Sequence, residues 1–457
     1  MDIKIKKGLD LKLAGGIENV SAALADCRDV HGVCAICPED YPGFKPKALV
    51  KEGDMVYAGE PVLYNKDYEG MTLVSPIDGR VKAVVRGDRR RILRVEIEPI
   101  EAGEAVPRTI FPIEKGTAAN VVSSLAHLGL LARLRQRPYD VVPTEGTTMV
   151  RDIYVMCFDA APLALSLPLE AFGNEAEEWL RSGLAVLSRL TTGKVYVACR
   201  EGDKVASVSG GVPGVEIVKV AGPYPSGLPG AVIAATKPIN KGETVWTLDL
   251  ATAIRVGEYA KHHKYGFENY VALTGSELSA PGIAKAPDGI ELKALLKGVV
   301  KDTPEHKRII SGNVFTGVRE SEDGYLRFPY RQVTVIPEGD DTDEFMGWAS
   351  LAPSKVSAKR SFPLSFMRKL FSPDARLNGG RRAMIMSGEY DRYMPIDILP
   401  EYLVKAILAK DVEGMERLGI YEVAPEDFAL AEFADTSKLP LQQIVRDGLD
   451  YLRKELE

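Results

Sequence analysis

Over the first hundred residues, short apolar runs at 33–37, 62–64, 71–74, 81–85 and 92–97 are separated by Gly, Pro and Asp. That spacing, about eight to twelve residues from one run to the next, predicts a domain built of short strands. From 101 to 255 the pattern changes to alternating strands and helices. Thr117 is placed to cap a helix in which Val121, Leu125, Leu128 and Leu131 recur at three- and four-residue intervals. Residues 153–158, 194–199 and 215–220 read as strands. Residues 175–190 read as a helix facing inward with Trp179, Leu180, Leu184 and Leu187. This is the order of an open α/β sheet. Strands return between 256 and 345, at 270–273, 308–311, 325–328 and 332–336, and predict a small mixed β domain. Residues 346–457 read as an irregular linker and a helical domain. There 401–419 and 441–456 each place a row of Leu, Ile, Val and Met on one face. The fold class is α+β, multidomain, with expected boundaries 1–100, 101–255, 256–345 and 346–457.

The first domain carries further information. In VKEGDMVYAGEPVL, Gly53 and Gly59 suit tight turns, and SPIDGRVKAV supplies another turn at Asp78-Gly79. The spacing resembles the barrel-sandwich fold of lipoyl and biotin carrier domains. Lys66 lies in the interval where carriers bear a modified lysine, but ten residues before Pro76, and reads as a solvated hairpin lysine.

Length and charge narrow the class. The 457 residues exceed one hydrophobic core, and 58 basic against 64 acidic side chains leave a net charge of −6. No basic face marks nucleic acid as a partner. No apolar run approaches the roughly 18 residues of a membrane helix, and the N-terminus lacks the apolar core of a secretory signal. Five cysteines, an odd number, suit a reducing compartment.

Motifs for self-contained chemistry are weak. Cys27, His31, Cys34 and Cys37 lie close together, but Cys34 and Cys37 on one strand would point to opposite faces, the reading of buried small hydrophobes. Gly210-Gly211-Val212-Pro213-Gly214 has the wrong spacing for a dinucleotide loop. Thr191-Thr192-Gly193-Lys194 lies between helix and strand, the reverse of a phosphate-binding loop. His262 and His263 are adjacent and diverge on a helix.

The order of IKIKKGLDLKLAGG, PEDYPGFKPKALVKEGDMVYAGEPVL, LLARLRQRPYDVVP, LTTGKVYVAC, AGPYPSGLPG, KGETVWTLDL, RIISGNVFTG and RAMIMSGEYDRYMPIDILP resembles the A subunit of the sodium-translocating NADH:quinone oxidoreductase. The resemblance covers nearly the full length. It implies a barrel-sandwich domain, a Rossmann-like α/β domain, an SLBB-like β domain and a C-terminal helical domain. It also implies a peripheral protein on the cytoplasmic face of the bacterial inner membrane, one of six subunits that together move electrons from NADH to ubiquinone and export sodium. A distant relationship to the flavin-binding subunit of complex I and the C subunit of the Rnf complex follows from it. Their glycine-rich flavin loop and iron–sulfur cysteines have no counterpart here: 124–138 holds a single glycine, and no cysteine follows Cys199. The chain departs from the family at Ala231-Val232-Ile233-Ala234, where Thr-His-Ile-His is common. It departs again at 432–436, where a cysteine is common.

These readings lead to a subunit with no cofactor of its own, flavins and iron–sulfur centres being left to partner subunits, and with ubiquinone as the ligand the complex offers it. Catalytic and metal-binding residues are expected to be none. The candidate contact segment for partner subunits or quinone is 381–395. Arg381, Arg382, Met386, Tyr390, Arg392, Tyr393 and Met394 give it the Arg, Met and aromatic composition of interfaces. The alternative for the segment is a packed lead-in to the last helices. For the whole chain, the alternatives are a soluble flavin-dependent NADH dehydrogenase and a free-standing ligand-binding module.

Overall fold

The computed structural model describes residues 1–100, 113, 116–264, 266–340, 355–358, 362 and 369–456. About half of the irregular stretch expected between 337 and 380 lies outside them.

The α/β unit is built on a six-stranded sheet in the order Asp2–Lys4, Val215–Ala221, Val195–Cys199, Asp152–Met156, Val245–Asp249 and Arg135–Arg137. All neighbours are parallel except the last pair. The inner strands Asp152–Met156, Val195–Cys199 and Val245–Asp249 are buried along nearly their whole length and have the largely apolar character such a position requires. The helix expected near Thr117 is Ala118–His127, and Thr117 accepts a hydrogen bond from Asn120 N. The second expected helix is Ala176–Leu187. It crosses Leu250–His262, which the apolar pattern did not predict, at Gly183 and Gly257. A Cβ on Gly257 would lie 2.6 Å from both Gly183 N and Trp179 C, so only glycine allows this approach. Pro229–Thr236 covers the opposite face of the sheet with Val232 and Ile233.

Two small sheets form the barrel sandwich, one of Cys34–Ile36, Ile92–Pro99, Gly79–Arg86 and Met55–Val56, the other of Pro46–Ala48, Pro61–Asn65 and Tyr68–Val74. Gly53 and Gly59 take positive φ as the turns demand (89° and 88°). Gly79 does not. Its role is close strand pairing, since a Cβ there would run into Glu98 O and the Ile97 side chain. Lys66 sits exposed on the short turn between Pro61–Asn65 and Tyr68–Val74.

The third large sheet runs Val318–Glu320, Lys307–Ser311, Gln332–Pro337, Glu268–Thr274, Gly282–Pro287 and Arg28–Asp29. The strand expected at 325–328 does not form. Those residues make one bridge, Tyr325 with Glu291, while Phe328 N turns to the Asp40 carboxylate. In the helical domain, the single helix expected at 401–419 is two. Pro400–Ala409 ends where Lys410 turns left-handed, and Asp411 caps Val412–Arg417 through Gly414 N. The last helix is Leu441–Leu456.

Two short strands within 1–100 pair outside the barrel sandwich. Asp2–Lys4 belongs to the α/β sheet and Arg28–Asp29 to the mixed sheet, so the first thirty residues tie three units together.

Candidate functional site

The four parallel strands that follow one another in the chain from Asp152 to Asp249 stand in the sheet as third, second, first, fourth. The order reverses between Asp152–Met156 and Val245–Asp249. Open α/β sheets form a crevice at such a reversal, beyond the carboxyl ends of the strands. Here it is a cleft of about 730 Å³. Its floor is Met156, Cys157, Phe158 and Asp159 from one strand end and Thr247 to Leu250 from the other. Glu39, Asp40 and Pro42 wall it from the barrel sandwich, Arg327 to Gln332 from the mixed sheet, and Pro425, Glu426 and Gln442 from the helical domain.

Charged groups at the rim are mostly held in pairs across domain boundaries. Arg327 bonds Asp40 at 2.6 Å and Glu320 at 2.9 Å. Burial of Asp40 outweighs that attraction and pushes its carboxyl up to about 6, while the same pairing keeps Arg327 charged. Arg331 pairs with Asp249. Arg133 and Arg255 share Asp288 at 2.9 and 3.2 Å, and together they overcome its burial and hold it below its usual range. Arg135 has backbone acceptors instead, Asp40 O at 2.6 Å and Ala132 O. Its guanidinium and that of Arg133 lie 5.3 and 4.8 Å from the Phe328 ring centre, and Phe328 stacks on Tyr41.

Deeper, Arg137 is 1 % exposed and divides its guanidinium between Asp427 (2.9 Å) and Glu426 (2.8 Å). Asp427 also accepts from Ala424 N, and its carboxylate lies against Gly230, the second residue of helix Pro229–Thr236. The first residue of that helix is proline and brings no N–H. The other helix opening at the cleft, Leu250–His262, has its first turn filled by Asp249, which accepts from Thr252 N at 2.7 Å. Helix N-termini in such a crevice are where phosphate would bind. Asp249 caps the second, and the Asp427 carboxylate stands against the first turn of the other without a hydrogen bond to it. With six acidic side chains lining the cleft (Glu39, Asp40, Asp140, Asp159, Asp249, Glu426) against four arginines, no positive field compensates.

The segment expected to make contacts divides in two. Tyr390, Tyr393 and Met394 are core residues: Tyr390 and Met394 pack with Leu403, Val404 and Ile407, and Tyr393 donates to Ala358 O. Arg381, Arg382 and Arg392 are exposed, and Met386 is half-buried. Ile385 of the segment, and Leu399 and Tyr402 at the start of the following helix, are 54 to 57 % exposed. None of the seven residues lines the cleft. Sequence reasoning passed over the cleft groups. Arg133, Arg135 and Arg137 stood in LLARLRQRPYDVVP without a role, and nothing in Ala-Pro-Glu-Asp-Phe marks Glu426 or Asp427. Thr191-Thr192-Gly193-Lys194 is a loop: a Cβ on Gly193 would meet Asp152 and Arg151, and Lys194 N donates to Asp152.

Cys34 and Cys37 point into different apolar clusters, and burial raises both thiols, Cys37 to about 12. Among the described residues, no three His, Cys, Asp or Glu side chains come together as metal ligands. Among them, too, no helix is long and apolar enough to cross a membrane.

Three family models match: the NqrA N-terminal barrel-sandwich hybrid domain over 3–100, the NqrA second alpha/beta domain over 116–264 and the NQRA C-terminal domain over 270–321. The chain is 34 % identical over 458 residues to the A subunit of the Na(+)-translocating NADH-quinone reductase of Yersinia pestis (strain Angola), covering 99 % of this chain and 100 % of that one. The corresponding subunits of Neisseria meningitidis serogroup A and Pasteurella multocida are each 32 % identical with the same coverage. A chain of the NAD+-reducing [NiFe]-hydrogenase aligns at 14 % identity over 66 % of this chain and 54 % of that one, with a TM-score of 0.34, too low to carry an argument. Full-length identity with these relatives and the succession of three matched domains place this chain in the NqrA family, the A subunits of the Na+-translocating NADH-quinone reductase.

Proposed function

We propose that the chain is a peripheral subunit on the cytoplasmic face of the membrane, carrying no redox centre, that docks onto the other subunits of the reductase and offers its central cleft to the quinone. The relatives' name supplies two organic substrates, NADH and quinone. The observation that carries the choice is the negative charge at both helix openings, Asp249 capping one and Asp427 standing against Gly230 in the first turn of the other, which disfavours the two phosphates of a nicotinamide dinucleotide or the phosphate of a flavin. A neutral flat ring needs none. Phe158, Leu165, Leu228, Leu248 and Phe328 give it apolar walls. Exposed Arg381, Arg382 and Arg392 with Ile385, Leu399 and Tyr402 form the docking surface of this reading.

Two measurements test it. Flavin or iron–sulfur absorbance in the purified chain would overturn the absence of a redox centre. Substituting Arg381, Arg382 and Arg392 together by Ala is expected to leave thermal stability unchanged and to lower retention of the subunit in the purified complex. Full retention would remove the docking surface.

A further inference from the structure

Glu426 shares its arginine with a second, more deeply buried carboxyl. Among the described residues, Arg137 is the one cation bonded to either Glu426 or Asp427. Burial raises Asp427, which is 3 % exposed, but Arg137 Nη1 and Ala424 N both donate to it and favour its charged form. Glu426 is a third exposed and lines the cleft. Its Oε1 accepts from Arg137 Nη2, and no other hydrogen bond to its carboxyl is made by the described residues. The ionisable groups around it are Arg137, Arg135, Asp140 and Asp427, with the phenols of Tyr224 and Tyr330 nearby. Two arginines face three carboxyls, with Arg137 and Asp427 buried and the others partly so. Like charges so placed do not all ionise, and the proton settles on one of them. Burial and the neighbouring carboxylates Asp140 and Asp427 raise Glu426 well above the usual carboxylate range.

We propose that Glu426 enters the cleft as the neutral acid, with Arg137 fixing one oxygen, and that its O–H donates a hydrogen bond to a carbonyl oxygen of the quinone. This rests on the quinone reading of the cleft given above. A protonated carboxyl in an apolar-walled site is a strong donor to a carbonyl, and it is lost when the group ionises. Affinity for a carbonyl ligand then falls as pH rises through the range where Glu426 gives up its proton, whereas an arginine donor, charged throughout that range, would give a flat profile.

The test uses the full-length chain and a soluble short-tail ubiquinone as probe, with affinity measured between about pH 6 and pH 9.5. A control variant, Val318→Trp, places bulk at the cleft rim from an exposed position. If the wild-type chain does not bind the probe, or if Val318→Trp binds it unchanged, the quinone reading of the cleft fails. If the rim variant blocks binding, Glu426 is tested on its own. Wild-type affinity is expected to fall roughly tenfold across the range, about one good hydrogen bond. Glu426→Gln retains a donor, because Arg137 holds its amide oxygen and leaves the NH2 toward the cleft. It is expected to bind within about threefold of wild type at neutral pH and to show no pH dependence. Glu426→Ala is expected to bind roughly tenfold more weakly at every pH. A flat wild-type pH profile, or a Glu426→Gln profile that still falls with pH, would overturn the assignment whether or not the alanine variant folds.

Discussion

The carboxylate of Asp427 occupies the space that a side chain on Gly230 would need. Asp427 cannot swing aside without leaving Arg137 and Ala424 N. Gly230→Ala is therefore expected to destabilise the protein by about 1–3 kcal/mol, the usual cost of forcing volume into a filled site. The denaturant midpoint measures it. An unchanged midpoint would mean that the helical domain can recede from the α/β sheet at no cost.

Arg137 links the edge strand Arg135–Arg137 to the helical domain through two carboxyls. Replacing it by Met keeps the volume and abandons Asp427 as an uncompensated buried charge, with an expected loss of about 3–5 kcal/mol. The double variant Arg137→Met, Asp427→Asn is expected to recover part of that loss, because the orphaned charge goes with it. A double variant no more stable than the single one would show that packing, not charge, dominates.

Asp40 makes stability depend on pH with a definite sign. Its folded value, about 6, lies above the 3.8 of a free aspartate, so the native state holds the proton more tightly. The stability this contributes is complete below about pH 3.8 and is lost as pH rises through about 6. The full effect is of the order of a few kcal/mol. Urea midpoints taken between about pH 4 and pH 7 should show a falling slope that flattens in Asp40→Asn. Equal slopes in the two proteins would contradict the burial argument.

Cys34 is fully buried among Ile290, Leu292 and Val333, and Cys37 packs with Tyr325 in a separate cluster. Cys34→Ala is expected to cost about 1–2 kcal/mol through the small cavity it leaves, with no metal released. Elemental analysis finding about one zinc, or several irons, per molecule of wild-type protein would refute this.

Strongly periodic elements were legible in the sequence. The helix capped by Thr117, the strands at 153, 195 and 215 and the final helix appear within a few residues of their expected bounds. Pro229–Thr236 was missed because it is apolar all round, which erases the helical period, and Leu250–His262 because small or polar residues such as Thr252, Ala253, Arg255 and Gly257 fill many of its buried positions. The split at Lys410 was missed because a left-handed lysine leaves no mark in a pattern of apolar positions. The candidate site was less legible still. Tyr390, Tyr393 and Met394 have the composition of an interface and the position of a core, and composition cannot separate the two. The cleft is made of residues from all four regions, among them Asp40, Asp249, Arg327 and Glu426, each unremarkable where it stands in the chain. Their meaning comes from the reversal in strand order, a property of the sheet.

The first strand, Asp2–Lys4, finds its partner in Val215–Ala221, and the amino group of Met1 bonds Ile217 O across a separation of 216 residues. A ribosome adding roughly 5–20 residues per second needs on the order of ten to forty seconds to make that partner. During that interval the amino terminus is a loose end with an unpaired β-strand, and the α/β sheet cannot be completed on its outer edge. The start of the chain is thus among the last pieces of the sheet to be seated. Bulk attached just ahead of Asp2 would burden a late step of assembly, whereas bulk attached after the last helix would leave that edge untouched.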